Sequence, residues 1–502
     1  MRVTNHMIFG NSMNNIWRNA RHINKLVTKQ ETGYRIQRPS DDPLISARAM
    51  RYRTILSEAE QFLRNVHQGL AWMEVSESAF NNILSGNTTN PSLMQRMNVQ
   101  LIKGAQTGTQ QLEDQRAIIA EIQQYFDQMF NVDINQTYLG RYVFSGFHTN
   151  QPPVLSQNWP GSSFVITQNF TTVDIERATA FHRPNPTARA EAIWTNIIKL
   201  PYTNVSFADH GVAGAPIPQI TLADGTVLHI ENRISTEYDA YRPEDSFTNL
   251  LGEEVPVIHN ITDTGELVFS DAVRELIHNA GGIRVVYEKS DLRAGELNPI
   301  VYFESTQIRD DSNVHFNTPV HFNTDGQNIQ MEISANSYVT INSHARNILT
   351  ANLFSDLRRL FDFADSLVSS DPSVIREYFR NEHGYEGEAL TNAVAEFLSN
   401  EQAAFSGAIH TRFNNMMEAF ARHSAQAQRE HTALGSRMAR LDMVAIRLEE
   451  DEVAFTELLS DNEDADLIET MKRKNAAETA FNHALRAVAI ITQLTLADSI
   501  NR

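Results

Sequence analysis

Tyr52-Arg-Thr-Ile55-Leu-Ser-Glu-Ala59-Glu-Gln-Phe62-Leu-Arg-Asn-Val66-His-Gln-Gly69 places an apolar or small residue alternately three and four positions apart, and the pattern continues through Met73, Ser76, Phe80 and Ile83. That spacing, held for about four and a half heptads, is the seam of a helix bundle or coiled coil. A second stripe, Leu56, Leu63, Leu70 and Leu84, runs beside it. Two adjacent stripes give a face wider than a two-stranded seam needs, so this helix is expected to contact at least two neighbours. Upstream, Phe9, Met13, Ile16, Ala20, Ile23 and Val27 follow the same alternation.

Capping chemistry sets the boundaries. Gly33 after Thr32 suits a left-handed C-terminal cap, and Pro39 disfavours helix at Arg38. Asp42-Pro43 is an N-cap followed by a proline at the first helical position, so a second helix is predicted from there to about Leu84. Its length is on the order of 60 Å at 1.5 Å per residue. Asn90-Pro91 predicts a third helix, through Met94, Met97, Leu101, Leu112, Ile119, Ile122, Phe126 and Met129, with Gly104 and Gly108 as a weak middle.

From about Pro152 to Asn342 the period changes to that of strands. Gln219–Ala223 and Thr226–Glu231 flank Asp224-Gly225, which predicts a hairpin with a type I′ turn. Ser163–Thr167, Glu266–Phe269, Ile283–Tyr287, Ile300–Phe303, Ile329–Ile333 and Ser337–Ile341 are further strand candidates, and Asp271–Asn279 a short helix stopped by Gly281-Gly282. Without a βα repeat, antiparallel sheets are expected.

Helical patterning returns at Asn352–Leu367, after Asp371-Pro372, and in a very long segment through Ile409, Phe413, Met416, Phe420, Ala427, Leu434, Leu441, Leu448 and Phe455. A Gly-rich acidic stretch, Asn381–Glu388, precedes that segment, and Ser460–Glu463 offers an N-cap for a last helix to about Ser499. The fold class is therefore multidomain α + β: a coiled-coil-like bundle of long N- and C-terminal helices with an inserted antiparallel β-rich domain. Residues 484–497 are apolar on most sides, more than one partner helix covers, and oligomerisation accounts for the surplus.

At 502 residues the chain exceeds one ordinary core, and roughly 100 to 200 residues per domain suggests two to four units. A formal charge of -19 with no basic run argues against a nucleic-acid partner. No cysteine occurs, which excludes disulfides, thiol nucleophiles and thiolate metal sites, and suits a chain that stays unfolded or crosses redox compartments. Met1–Gly10 lacks the basic and apolar regions of a cleaved signal peptide, and the best apolar run, Ala487–Ile491, is far short of a membrane span.

No catalytic constellation emerges, and no cofactor or metal is expected. His315 and His321 recur in a small His-Phe-Asn-Thr duplication, but two histidines without a third ligand read as strand-surface residues. Glu382-His383 and Glu430-His431 lack the second histidine of a zinc-protease motif, and the glycine clusters match no phosphate-binding loop. In the connector 33–43, Arg35, Arg38, Asp41 and Asp42 read either as a solvated loop or as an inter-subunit contact in which the arginines find a neighbour's carboxylates.

Thr32-Gly-Tyr-Arg-Ile-Gln-Arg-Pro-Ser-Asp-Asp-Pro-Leu44, with Asn65 and Gly69 in the helix that follows, resembles the N-terminal region of the flagellin family. Pro39 and Pro43, the exit Gly140-Arg-Tyr-Val-Phe-Ser-Gly146 with Asn150–Pro153, and Leu459-Ser-Asp-Asn-Glu-Asp-Ala-Asp466 are similar to its hook-associated protein 3 branch rather than to flagellin itself. The resemblance covers about 1–155 and 329–502. It implies a hook-filament junction subunit, a structural molecule and not an enzyme, exported to the extracellular flagellum by the flagellar type III apparatus without a cleaved signal peptide. Implied partners are flagellin, hook-associated protein 1, further copies of the chain, the export apparatus and, as an optional addition, an export chaperone. Nucleic acid and membrane insertion are not implied.

The same resemblance implies an inner coiled-coil layer of 1–32 and 467–502, a helical rod of 33–151 and 343–466, and an outer β-rich domain of 152–342. The subunit interface would use Phe9, Met13, Ile16, Ala20, Ile23 and Val27, the connector residues Arg35, Arg38, Asp41 and Asp42, and Phe481, Leu485, Val488, Ile491 and Leu494. A filament subunit is the alternative. An enzyme on a flagellar scaffold and a generic coiled-coil adaptor are further, weaker readings.

Overall fold

The computed structural model describes residues 5–86, 89–106, 112–182, 187–188, 190–209, 211–237, 239–248, 254–310 and 318–500, without the side chains of 5, 6, 8, 9, 182, 310 and 491–500. His315 lies outside the described residues. The helices are α1 (Asn5–Thr32), α2 (Pro43–Ile83), α3 (Leu93–Ala105), α4 (Leu112–Asp127), α5 (Asp271–Ala280), α6 (Pro299–Tyr302), α7 (Ala345–Ile348), α8 (Ala351–Ser366), α9 (Pro372–His383), α10 (Gly387–Glu463) and α11 (Leu467–Ile500).

Both early caps form as their residues dictate. Gly33 takes φ 73° after α1, and Asp42 Oδ1 accepts from Leu44 N (3.1 Å) and Ile45 N (3.2 Å) at the start of α2. The single third helix expected over 91–131 is instead α3, α4 and a π-helical turn, Gln128–Asp133. Its cap is Ser92, reciprocally bonded with Gln95, and not Asn90-Pro91. Gly104 sits where a Cβ would come within 2.4 Å of the Phe413 ring, so α3 ends in a close helix contact that only glycine permits.

Helix α9 runs to His383 and α10 begins at Gly387, so the expected Gly-rich break shrinks to a short turn capped by Gly384 at φ 64°. The 77-residue α10, about 115 Å long at 1.5 Å per residue, continues through the Ser460–Glu463 segment expected to cap α11. The cap is Asp466, whose Oδ1 accepts from Glu469 N at 2.9 Å. Asp466→Ala should cost about 0.5–2 kcal/mol, read as fraying of α11 by helical ellipticity and denaturant midpoint.

The strands are β1 (Thr137–Tyr138), β2 (Arg141–Tyr142), β3 (Trp159–Phe170), β4 (Glu176–His182), β5 (Glu191–Lys199), β6 (Val205–Ser206), β7 (Gln219–Leu222), β8 (His229–Arg233), β9 (Ser246–Thr248), β10 (Glu254–Ile261), β11 (Glu266–Phe269), β12 (Ile283–Leu292), β13 (Glu304–Asp310), β14 (Val320–Phe322), β15 (Gln330–Ser334) and β16 (Ser337–Thr340). One sheet has the order β4-β5-β11-β10-β8 with β9 on β10, and another the order β14-β13-β3-β12-β6 with β7 on β12.

The Asp224-Gly225 hairpin forms, but only over its first residues: Leu222 N donates to Thr226 O at 2.8 Å and Leu228 N to Ile220 O at 2.9 Å, around the Thr221–Val227 bridge. Beyond it the arms part, with β7 pairing with β12 and β8 joining the other sheet, parallel to β10. Gly225 has φ 93° but Asp224 has no positive φ, so the turn is not type I′. Among the described residues the sheets are thus antiparallel with one parallel pair. Ile300–Phe303 is not a strand either: the Asn298 side chain accepts from Ile300 N and Pro299 occupies the first turn, which starts α6.

Contacts divide the chain into two units: Met1–Gln68, Glu332–Tyr338 and Leu441–Arg502 form the first, and Gly69–Met331 with Val339–Arg440 the second. The second holds dense aromatic cores. Phe126 packs on Phe130 and Phe354 at centroid separations of 4.7 and 5.3 Å, and Phe80 stacks on His431 at 5.2 Å. In the same unit Arg437 donates to the carbonyls of Thr340 and Asn342 and to Ser343 Oγ, fixing the segment that leads to His344.

Burial, helped by Arg346 and Arg437, holds His344 down from 6.5 to about 4. The unfolded chain therefore takes up this proton first. The neutral-His344 contribution is intact above about pH 6.5 and is lost as pH falls toward 4. Urea midpoints should consequently fall less between pH 7 and pH 4.5 in His344→Gln than in the wild type.

Candidate functional site: the paired terminal helices and their connectors

Within the first unit, α1 packs along α11. The connectors that lead out of these two helices are joined by backbone bonds. Tyr34 and Asp464 form an antiparallel bridge, Arg35 N donates to Glu463 O at 2.6 Å, and Ala465 N donates to Gly33 O at 2.7 Å. Side chains brace the joint: Arg53 to Glu463 at 2.7 Å and Asn462 Nδ2 to Ile45 O at 3.0 Å. Tyr52 lies against Phe455 with ring centroids 6.3 Å apart.

The four polar connector residues divide by role. Asp41 accepts from Lys25 Nζ at 3.0 Å, and this bond holds its carboxyl below the ordinary value. Asp42 caps α2. Arg35 and Arg38 are exposed and make no side-chain ion pair among the described residues, so their guanidinium groups remain available to a neighbour.

Of the expected apolar set on α1, Ile16 is buried, Ala20, Ile23 and Val27 are half-buried, and Met13 is exposed. On α11, Phe481 and Val488 are half-buried and Leu485 is exposed. The side chains of Phe9, Ile491 and Leu494 lie outside the described residues.

Sequence reasoning missed a larger group. Trp17 on α1, Met443, Ile446 and Val453 on α10, and Ile468 and Met471 on α11 are all exposed, Ile468 by 84% and Val453 by 69%. Their signal was present as a second spacing, Ile446 and Val453 one heptad apart, beside the buried Leu434, Leu441 and Leu448. Buried apolar side chains in this unit are few, among them Ile16, Leu26, Val66, Leu441 and Leu448. Apolar exposure on this scale along paired helices marks a surface for protein contact.

Residues 3–149 match the family described as the bacterial flagellin N-terminal helical region. That stretch is similar to the flagellin N-terminal region. This region includes α1 to α4 with the connector and the β1–β2 pair, and ends at Thr149, beyond β2. Flagellar hook-associated protein 3 of Salmonella typhimurium is 28% identical over 155 residues, 30% of this chain and 46% of that protein. The Escherichia coli protein of the same name is 27% identical over 153 residues, again 30% of this chain and 46% of the relative. The chain thus spans about half the length of the curated relatives it matches.

Among solved structures, a putative flagellar hook-associated protein from Vibrio parahaemolyticus is 11% identical, with 84% of this chain and 100% of that chain covered and a TM-score of 0.33. The flagellar junction protein FlgL from Legionella pneumophila is 12% identical with the same coverage and TM-score. Among the described residues no helix is long and apolar enough to cross a membrane, and no group of three His, Cys, Asp or Glu side chains is placed to hold a metal ion.

Proposed function

We propose that this chain is a structural subunit of the bacterial flagellum that forms the junction between hook-associated protein 1 and the flagellin filament. The reading is supported by one observation above others: an N-terminal region similar to that of flagellin, whose α1 pairs with the C-terminal α11 and leaves apolar stripes on the same unit exposed. Assembly buries those stripes between copies and against neighbouring subunits, each Å² removed from water contributing about 25 cal/mol. The interface comprises the apolar residues of α1 and α11 together with Arg35, Arg38, Asp41 and Asp42. Residues 1–32 and 467–502 form the inner layer, 33–151 and 343–466 the rod, and 152–342 the outer domain. Export proceeds through the flagellar type III apparatus.

A strain lacking the gene tests this by electron microscopy with an assay of flagellin in the medium. Bare hooks with flagellin released into the medium are expected. Bare hooks with little released flagellin would make the chain the filament subunit instead, and normal filaments would overturn the junction role.

A further inference from the structure

The start of α2 and the end of α10 run antiparallel within the first unit, with Asn462 bonded to Ile45 O and Tyr52 against Phe455. Their charges are sorted by helix. From Arg35 to Arg53 the basic residues are Arg35, Arg38, Arg48, Arg51 and Arg53. The carboxylates among them, Asp41 and Asp42, are engaged within the chain by Lys25 and by the cap of α2. From Glu449 to Glu469 neither lysine nor arginine occurs, while Glu449, Glu450, Asp451, Glu452 and Glu457 succeed one another along α10. Among the described residues only Arg53 and Glu463 join the two sets, at 2.7 Å.

The exposed faces combine these charges with apolar side chains. Met443, Ile446, Glu450, Val453 and Glu457 on α10 stand alternately three and four residues apart, and all five are exposed. That is the spacing of a helix seam, here apolar and acidic and left open to solvent. On α2, Leu44, Arg48 and Arg51 stand four and three apart and are exposed, Leu44 by 73%, with Met50 beside them. Arg48, Arg51, Glu450 and Glu457 form no ion pair among the described residues, although the two helices are neighbours. These four charges therefore do not hold α2 on α10 within one chain.

We propose that the apolar and acidic face of α10 docks on the apolar and basic face of α2 in a second copy of this chain. The proposal rests on the flagellar reading above and adds the faces that meet. Charge selects the partner: α10 repels a second α10 and attracts α2, so the contact joins unlike faces and can repeat head to tail. A nucleic acid or an anionic membrane would match α2 and be repelled by α10. The apolar members supply the buried area, and the charges set orientation, since exposed ion pairs contribute little singly.

The test uses two full-length variants, Glu450→Arg with Glu457→Arg and Arg48→Glu with Arg51→Glu, in a strain lacking the gene, with purified flagella probed for the chain by immunoblot. The wild type should be present, and either variant alone should fall about ten-fold or more, because like charges then face each other. Producing both variants together should restore incorporation, since each presents the face the other needs. A contact within one chain cannot be mended by a second chain, so rescue separates docking between copies from intramolecular pairing. All four residues are exposed, and both purified variants should melt with the wild type. Glu450→Gln with Glu457→Gln, which removes charge without reversing it, should be incorporated less than the wild type and more than the reversed form. Incorporation of either reversed variant alone at the wild-type level, or no rescue by the pair, would overturn this contact and leave the flagellar reading standing. Absence of the wild type itself from flagella would overturn both.

Discussion

Removing residues 1–30, or separately 470–502, abolishes assembly while leaving the second unit folded. The two truncations act through one joint. Helices α1 and α11 lie along each other, so deleting either strips the other of its packing partner. Most helical stability in proteins comes from packing of the apolar face and not from intrinsic propensity, so either helix left alone loses most of what holds it. The loss therefore extends beyond the deleted atoms. The second unit has its own cores, with Phe126, Phe130 and Phe354 in mutual contact and Phe80 against Phe144, and none of these residues belongs to the deleted segments. Near-ultraviolet dichroism should be retained, helical ellipticity should fall, and neither truncated chain should restore filaments to a strain lacking the gene. Filament restoration by either truncation would contradict the interface.

Arg359→Met should destabilise the second unit by about 3–5 kcal/mol, the usual cost of removing one partner from a buried charge network. Arg359 has a side chain only 3% exposed and serves two carboxylates, Glu176 and, at 3.3 Å from Nε, Glu266. Glu266 also accepts from Tyr241 Oη at 2.9 Å, and Glu176 accepts from Asn415 Nδ2 at 2.9 Å, so both stay fixed when the arginine goes. Burial pushes the Glu266 carboxyl up, but Lys199, Arg359 and Arg412 pull it down by more, leaving it below 4.5. A depressed native pKa means the contribution is present above about pH 4.5 and is lost as pH falls through the lower native value. Without Arg359 the balance tips toward burial, and protonation relieves the variant. The gap in urea midpoint between wild type and variant should thus be wide at pH 7 and narrower at pH 4.5. Equal midpoints at pH 7 would show that the network contributes nothing.

The long helices were legible because their signals are local and repeated. Heptad spacing and the Gly33, Asp42 and Asp371 caps place the end of α1, both ends of α2 and the start of α9 within a residue or two, since each depends on side chains a turn away. The β region was less legible, because pairing is decided by residues far apart in sequence. His229–Arg233 alternates like the second arm of a hairpin, yet its parallel partner is Val257–Ile261, and nothing near Gly225 carries that information. Strands β4, β5 and β10 went unread for the same reason. At the site, the stripe on α1 was read from spacing alone. Met443, Ile446 and Val453 were passed over because α10 already showed a complete leucine stripe, and a helix that serves two surfaces looks, from one stripe, like a helix that serves one. Arg412 was invisible at this level, since an arginine within a helical pattern gives no sign of burial.

The absence of cysteine allows the exposed stripes to be followed residue by residue. Ile446→Cys and Ile468→Cys, each the sole thiol of its chain, would be labelled with a maleimide in the isolated protein and in purified flagella. Rapid labelling of the isolated chain and strong protection in flagella are expected at both positions, with Glu377→Cys on α9 of the second unit labelled equally in both states. Equal labelling of Ile446→Cys and Ile468→Cys in the two states would contradict burial of the terminal-helix stripes on assembly.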